Sequence, residues 1–271
     1  MSFDAEIEQP QAEAVAHYQN ELSRYDREEY PEQWATVQFN LGAAYLDWDL
    51  ENHPEHAEQA VECFHQALEI FTAEDTPEEY GLTHQALGQA YVELAKGDQP
   101  NYLPLALESY ELALDVKSQE EDPFVWAEIQ NQLGIIHSSL ITVDRDEHLK
   151  KAIICFAYAL EVRDRDEVPD AWAQTQTNTG LAWAGLSEGD VAGNLRNALT
   201  CFEEALEIHT QDEFPFDWAL LEGYVGDVRM ELGEREAAVE HYQNAVDQLK
   251  ADGADEFLPP LEEKLEKARQ G

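Results

Sequence analysis

The stretch PEQWATVQFNLG, residues 31–42, decides the fold because its pattern of proline, aromatic residue and glycine recurs four more times at a constant period. Its proline recurs at Pro77, Pro123, Pro169 and Pro215, each 46 residues after the one before. An aromatic residue stands three positions after each proline, and a glycine stands eleven positions after it. These glycines are Gly42, Gly88, Gly134, Gly180 and Gly226. Such a period predicts a solenoid, in which each unit buries its apolar face against its neighbours.

Each unit has the pattern of two amphipathic helices. The proline predicts the first turn of the first helix, where its missing N–H is not needed. The second helix of the first unit carries Ala60, Phe64, Ala67 and Leu68, whose spacings of four, three and one place them on one stripe. The sequence therefore predicts an all-α fold of antiparallel helix pairs, with small residues where neighbouring helices approach closely.

These residues resemble the tetratricopeptide repeat (TPR). Leu41-Gly42, Tyr45, Ala60, Phe64, Ala67 and Pro77 follow the order of its Leu-Gly, Tyr, Ala, Phe, Ala and Pro. The resemblance covers about nine-tenths of the chain and implies a right-handed superhelical solenoid. In its long 46-residue form, the repeat is similar to extended arrays of bacterial signalling and scaffold proteins.

The period is longer than the 34 residues of the family pattern. Gly42 and Ala60 are 18 residues apart, whereas Gly226 and Ala238 in the last unit are 12 apart. The first four units therefore carry a six-residue insertion between their paired helices, since 18 − 12 = 6. The predicted units are 31–76, 77–122, 123–168, 169–214 and 215–254.

Capping helices are predicted at both ends, in residues 1–30 and 255–271. The first is expected over 11–25, with Ala14, Tyr18 and Leu22 in register with the second-helix stripe. The last is expected from Phe257, Leu261, Leu265 and Ala268. Such caps close the open apolar ends of a solenoid.

The charge excludes several classes of partner. The chain of 271 residues has 16 Lys and Arg against 58 Asp and Glu, a net charge of −42. Nucleic acids and anionic membranes are excluded because both are held by clustered cations. The start, MSFDAEIEQP, lacks the pattern of a signal peptide, so we expect a soluble, cytoplasmic protein. A uniform acidic coat is typical of halophilic proteins, and recruitment of a basic partner is the alternative.

No catalytic residue, metal site or cofactor is predicted. Cys63, Cys155 and Cys201 share one repeat position, so they lie ~10 Å apart, beyond the ~7 Å that a disulfide spans. They are expected to be free thiols in the core. His53 and His56 in the first inserted segment lack a third metal ligand. His84, His137 and the tryptophans that follow the prolines occupy repeat positions and are expected to pack.

A partner is expected on the concave face, which the first helix of each unit lines in TPR arrays. Positions counted from the glycines give Phe39, Asn40, Gln85, Gln89, Asn131, Gln132, Ile135, Thr177, Asn178, Leu181, Tyr224 and Asp227. None is Lys or Arg, so the clamp with which some TPR proteins hold acidic C-terminal tails is missing. Amide side chains suit the backbone of a peptide or the polar edge of a helix.

The sequence therefore predicts a non-catalytic scaffold or adaptor that binds another protein or peptide. The alternative is a structural homo-oligomer that assembles through the repeat ends or through a basic patch of the third unit. That patch comprises Arg145, Lys150, Lys151, Arg163 and Arg165. Binding through the inserted segments instead of the concave face also stays open.

Overall fold

The computed structural model describes residues 9–48, 54–96 and 100–270. Within these ranges it contains twelve α-helices, two short 3-10 turns and no strand. The chain forms two compact units, Met1–Gln132 and Leu133–Gly271. Consecutive helices pack as antiparallel pairs in each unit, which confirms the predicted all-α solenoid class.

The helices follow the order that the repeat predicts. They are α1 Gln9–Leu22, α2 Pro31–Leu46, α3 Glu55–Leu68, α4 Pro77–Lys96, α5 Leu103–Leu114, α6 Pro123–Ser139, α7 Arg145–Val162, α8 Pro169–Gly185, α9 Val191–Leu206, α10 Pro215–Glu231, α11 Arg235–Asp252 and α12 Leu258–Gln270. The 3-10 turns are Pro100–Tyr102 and Asp255–Phe257.

The first unit contains the pairs α2–α3 and α4–α5, with α1 packed on α2. The side chain of Gln19 on α1 donates to the hydroxyl of Tyr45 on α2 at 3.0 Å. The second unit contains the pairs α8–α9 and α10–α11, with α7 packed on α8 and α12 on α11. Helix α6 carries the boundary between the two units.

Each repeat proline is the first residue of a helix, as predicted. The residue before it has a φ that no helix adopts: −134° at Tyr30, −135° at Val168 and −132° at Phe214. A residue before proline is pushed out of the helical region by the proline ring. The repeated dipeptide therefore sets where each first helix begins.

The inserted segments are partly helical. Helix α4 continues to Lys96, and α7 begins at Arg145. His56 lies in the first turn of α3 and not in a loop, with its ring 5.5 Å from that of Tyr45 and 4.2 Å from that of Trp48. The placement of His53 lies outside the described residues.

The repeat glycines give each pair its close contact. A Cβ atom at Gly180 on α8 would lie 2.5 Å from Cε1 of Phe202 on α9. At Gly226 on α10 it would lie 2.6 Å from Cε1 of Tyr242 on α11. All five glycines face an aromatic ring in this way, at distances under 3.0 Å. Only a residue without Cβ lets the second helix place its aromatic ring against the first.

The capping helices differ from their predictions in detail. Helix α1 ends at Leu22, and its buried residue is Val15, whereas the predicted Ala14 and Tyr18 are half-buried. In α12 the residues Leu261, Leu265 and Ala268 are buried as expected. Phe257 is 39% exposed because it precedes the helix, in the second 3-10 turn.

We predict that Gly180→Ala destabilises the protein. Alanine favours a helix by about 1 kcal/mol over glycine, but the new Cβ overpacks the ring of Phe202, at a cost of about 1–3 kcal/mol. Urea unfolding should therefore show a lower midpoint. Because Phe202→Leu removes part of the ring, adding Gly180→Ala should cost less in that background than in wild type. An equal cost in both backgrounds would contradict the close-contact explanation.

Candidate functional site

The twelve residues predicted to bind a partner all lie on first helices, and together we call them the first-helix face. Asn131 is buried, with 6% of its surface exposed, so it offers no surface for a partner. The carboxylate of Asp227 accepts from the hydroxyl of Tyr242 at 2.8 Å and from Nζ of Lys264 at 2.7 Å. The other ten are half-buried or exposed: Phe39, Asn40, Gln85, Gln89, Gln132, Ile135, Thr177, Asn178, Leu181 and Tyr224.

The first unit has an open pocket of about 190 Å³ between α2 and α4. Its lining residues are Thr36, Phe39, Asn40, Phe71, Glu79, Leu82 and Thr83. The rings of Phe39 and Phe64 are tilted against each other, with centroids 5.8 Å apart. Since Phe71 is 3% exposed and Leu82 is 36% exposed, the pocket has an aromatic base and an open aliphatic wall.

The second unit has an open pocket of about 230 Å³ between α8 and α10. Its lining residues are Gln174, Thr177, Asn178, Leu181, His209, Asp217, Leu220, Leu221 and Tyr224. The ring of Tyr224 stacks on Phe202, with centroids 5.7 Å apart. At its base, Nε2 of the buried His209 lies 2.8 Å from a carboxylate oxygen of Asp170.

The two pockets are equivalent by repeat register. Phe39 corresponds to Thr177 and Asn40 to Asn178, because 178 − 40 equals three periods of 46 residues. The remaining pairs are Thr36 with Gln174, Phe71 with His209, Glu79 with Asp217, Leu82 with Leu220 and Thr83 with Leu221. The same gap between consecutive first helices therefore appears in both units.

One amide side chain in each pocket is available to a ligand. Those of Asn40 and Asn178 are half-buried and have no hydrogen-bond partner among the described residues. An amide can donate two hydrogen bonds and accept through its oxygen, which matches the N–H and C=O groups of a peptide backbone. Each pocket thus combines one amide that has no intramolecular partner with apolar walls.

The charge of the pockets is negative. Exposed carboxylates, Glu79 in the first pocket and Asp217 in the second, lie in the first turns of α4 and α10. Among the lining residues that are described, none is Lys or Arg. A ligand segment with acidic side chains would be repelled by these carboxylates.

The second wall of each pocket is largely missing from the twelve predicted residues, of which Tyr224 alone lies on it. Leu82 and Leu220, also on the second of the two first helices, stand at a position that the prediction did not count. Both follow their proline by five positions, as do Thr36 and Gln174 on the opposite wall. The position five after each proline was therefore the signal that could have identified both walls.

Several solved structures have the same arrangement of helix pairs. One is YrrB, described as a TPR protein with an unusual peptide-binding site, with TM-score 0.55 and 20% identity over 82% of this chain and 89% of that chain. Another is the C-terminal part of a TPR repeat-containing protein from Cytophaga hutchinsonii, with TM-score 0.59 and 12% identity over 96% and 80%. This chain has the TPR fold. The MamA protein is a further TPR-fold neighbour, with TM-score 0.54 and 17% identity over 81% and 94%.

No protein-family model matches the sequence, and no curated protein matches it either. The TPR fold is thus established by structure, while identities of 12–20% carry no functional assignment.

None of the three cysteines forms a disulfide, and Cys63 and Cys201 lie in the core as expected, whereas Cys155 is only half-buried. Burial raises the pKa of Cys63 to about 12 and that of Cys201 to about 11, each with a smaller effect of a neighbouring glutamate. Both are therefore protonated and weakly nucleophilic at neutral pH. In the described ranges there is no group of three or more His, Cys, Asp or Glu residues that could hold a metal ion. No helix in these ranges is both long and apolar enough to span a membrane.

Two histidines at repeat positions are buried, as a packing role requires. Burial lowers the pKa of His84 to about 4, and the nearby His65 adds to the effect. Burial also lowers the pKa of His137 to about 4, with smaller effects of His148 and Lys151. Both imidazoles are therefore neutral at pH 7.

We predict that His84 makes the stability depend on pH. In the unfolded chain this residue has the ordinary histidine pKa of 6.5, whereas in the folded chain its pKa is about 4. Between these values the unfolded state binds more protons, so stability falls as pH decreases from about 6.5 to 4. The variant His84→Gln introduces the residue that the equivalent positions of two other units have, Gln38 and Gln176. Between pH 7 and pH 4.5 its melting temperature should drop less than that of wild type.

The measured quantity is this drop and not the melting temperature at one pH, because a buried glutamine without a partner lowers stability at every pH. The matched control is His17→Gln, since the His17 side chain is 61% exposed. A drop in His84→Gln as large as that of wild type would rule out this linkage.

Proposed function

We propose that the protein is a non-catalytic scaffold or adaptor that binds a peptide or helix of another protein on its first-helix face. The observation that carries this proposal is the pair of repeat-equivalent pockets between consecutive first helices, one in each unit. A feature that recurs at the same register in two separate units is a property of the repeat and not of one irregular loop.

The chemistry of the pockets supports a peptide ligand. Asn40 and Asn178 provide amide groups whose hydrogen-bonding capacity is unused among the described residues. Phe39 and Leu82 in one pocket, and Leu220 and Tyr224 in the other, provide apolar contact. Backbone hydrogen bonds supply affinity in extended peptide complexes, and side-chain pockets supply specificity.

The negative charge of the pockets and of the whole chain indicates which peptides can bind. The carboxylates of Glu79 and Asp217 and the net charge of −42 disfavour acidic peptide tails, so we propose a neutral or basic segment. The similarity to YrrB, itself described as having a peptide-binding site, is compatible with this proposal. The sequence alone predicts a cytoplasmic location, a high-salt host and no binding to nucleic acids or membranes. These three statements stay predictions.

We predict that Asn40→Arg combined with Asn178→Arg abolishes capture of the partner. An arginine side chain fills each pocket and removes the amide, while both sites are only half-buried. The measurement is affinity capture from a lysate with mass spectrometry, comparing this variant with wild type. Asn131 is unsuitable for the experiment because an arginine at a site only 6% exposed would unfold α6.

The control has the same change of charge on the second helices: Gln59→Arg on α3 with Thr200→Arg on α9. Both residues are exposed. The control variant should retain the partner, and circular dichroism should give the same helicity for all three proteins. If the pocket variant retains every protein that wild type captures, the first-helix face is not the binding surface.

A further inference from the structure

Helix α7 has an outer surface unlike that of the other second helices. Ile154 is 52% exposed and Tyr158 is 44% exposed. At the repeat position of Ile154 the other second helices have polar residues: Glu62, Glu108, Thr200 and Glu240. Ile154 therefore departs from the repeat at an exposed position, next to a second exposed apolar side chain.

The exposed residues of α7 form a seam of the coiled-coil type. Lys151, Ile154, Tyr158 and Glu161 follow one another at spacings of three, four and three, and all four are exposed. This spacing places them on one stripe of the helix, as in the contact positions of a heptad. We call these four residues the α7 seam.

The two charges of the α7 seam have no ion-pair partner among the described residues, whereas the neighbouring Lys150 pairs with Glu147 at 2.7 Å. Lys151 and Glu161 are ten residues apart, or about 15 Å along a helix, so they cannot pair with each other. Both side chains are exposed, so each can pair with an opposite charge on another molecule.

The seam is self-complementary about Phe156. Ile154 and Tyr158 lie two residues on either side of this position, and Lys151 and Glu161 lie five on either side. In an antiparallel pair of α7 helices whose two-fold axis crosses the exposed face at the height of residue 156, Ile154 therefore faces the partner's Tyr158. The same axis brings Lys151 to the partner's Glu161, so each of the two contacts arises twice and gives four in all.

We propose that a second copy of this chain binds the α7 seam through this antiparallel two-fold arrangement. An anionic membrane would attract Lys151 but repel Glu161, and an acidic partner would do the same. Only a partner with both charges at mirrored positions pairs the two residues, and the chain itself has this pattern. The interface lies on a second helix, so it is independent of the first-helix face.

The basic patch predicted from sequence is not this interface. Arg163 is buried, and its Nη1 donates to Oγ1 of Thr175 at 2.6 Å. Arg165 pairs with Glu207 at 2.5 Å. Of the five basic residues of the third unit, Lys151 is the one that belongs to the α7 seam.

Two exposed aliphatic residues precede the seam. Ile141 is 86% exposed and Val143 is 101% exposed, and both lie in the segment that leads into α7. They add apolar surface beside the amino-terminal end of the helix. Because two chains of charge −42 repel each other, the dimer should be weak in dilute buffer and stronger at molar salt.

The test is sedimentation equilibrium of the full chain over a range of concentrations. Wild type and Ile154→Glu are compared in molar KCl, and the charge variants at the lowest KCl concentration at which wild type still dimerises, because molar salt screens exposed ion pairs. Wild type should dimerise, and Ile154→Glu, which has the residue found at Glu62 and Glu108, should raise the dissociation constant by roughly tenfold or more. Lys151→Glu alone and Glu161→Lys alone should each weaken the dimer, because each places like charges together. The double variant Lys151→Glu with Glu161→Lys should restore it.

Restoration by the double variant depends on the proposed register, since neither charge pairs within its own helix. The matched control is Glu111→Lys on α5, an exposed carboxylate outside the seam, which should leave the dissociation constant within about twofold of wild type. A wild type that stays monomeric at molar salt overturns the proposal. So does a dimer that is unaffected by Ile154→Glu, or a double variant no stronger than the single ones. Flotation of a monomeric wild type with anionic vesicles would assign Ile141 and Val143 to a lipid surface instead.

Discussion

The contact between a glycine and an aromatic ring inside each helix pair is the constraint on which the rest of the structure depends. The ring on the second helix lies where a Cβ on the first would be, as between Gly134 and Phe156. Phe64, Phe156 and Phe202 are all fully buried in this way. A larger residue at the glycine would separate the two helices. Each helix pair therefore needs its own glycine, and the glycines recur with the same period as the pairs.

The same constraint explains why the pockets recur. With each pair held rigidly, consecutive first helices meet at the same positions in each unit and leave the same gap. Thr36 and Leu82 form opposite walls in the first unit, as Gln174 and Leu220 do in the second. The residues that line the gap differ in chemistry, so one geometry can hold different side chains of a ligand.

Helix starts could be predicted from sequence because they depend on local stereochemistry. Every repeat proline begins a helix, and the residue before it is held out of the helical region. Exposure could not be predicted with equal success, because it depends on the neighbouring pair. Asn131 and Thr177 share one register position, yet the first is buried and the second half-buried. Arg163 was likewise predicted in a surface patch, but it is buried and donates a hydrogen bond to Thr175.

A repeat makes departures from its pattern informative. At a position where three second helices have glutamate, an isoleucine cannot be explained by the packing of the pair, which uses the buried Phe156 two residues later. Lys151 also departs from its register, where the other units have Gln59, Leu105, Asn197 and Ala237, and neither it nor the exposed Glu161 has an ion-pair partner among the described residues. Residues that follow the register therefore describe how the chain folds, and those that leave it while staying exposed indicate where another molecule binds.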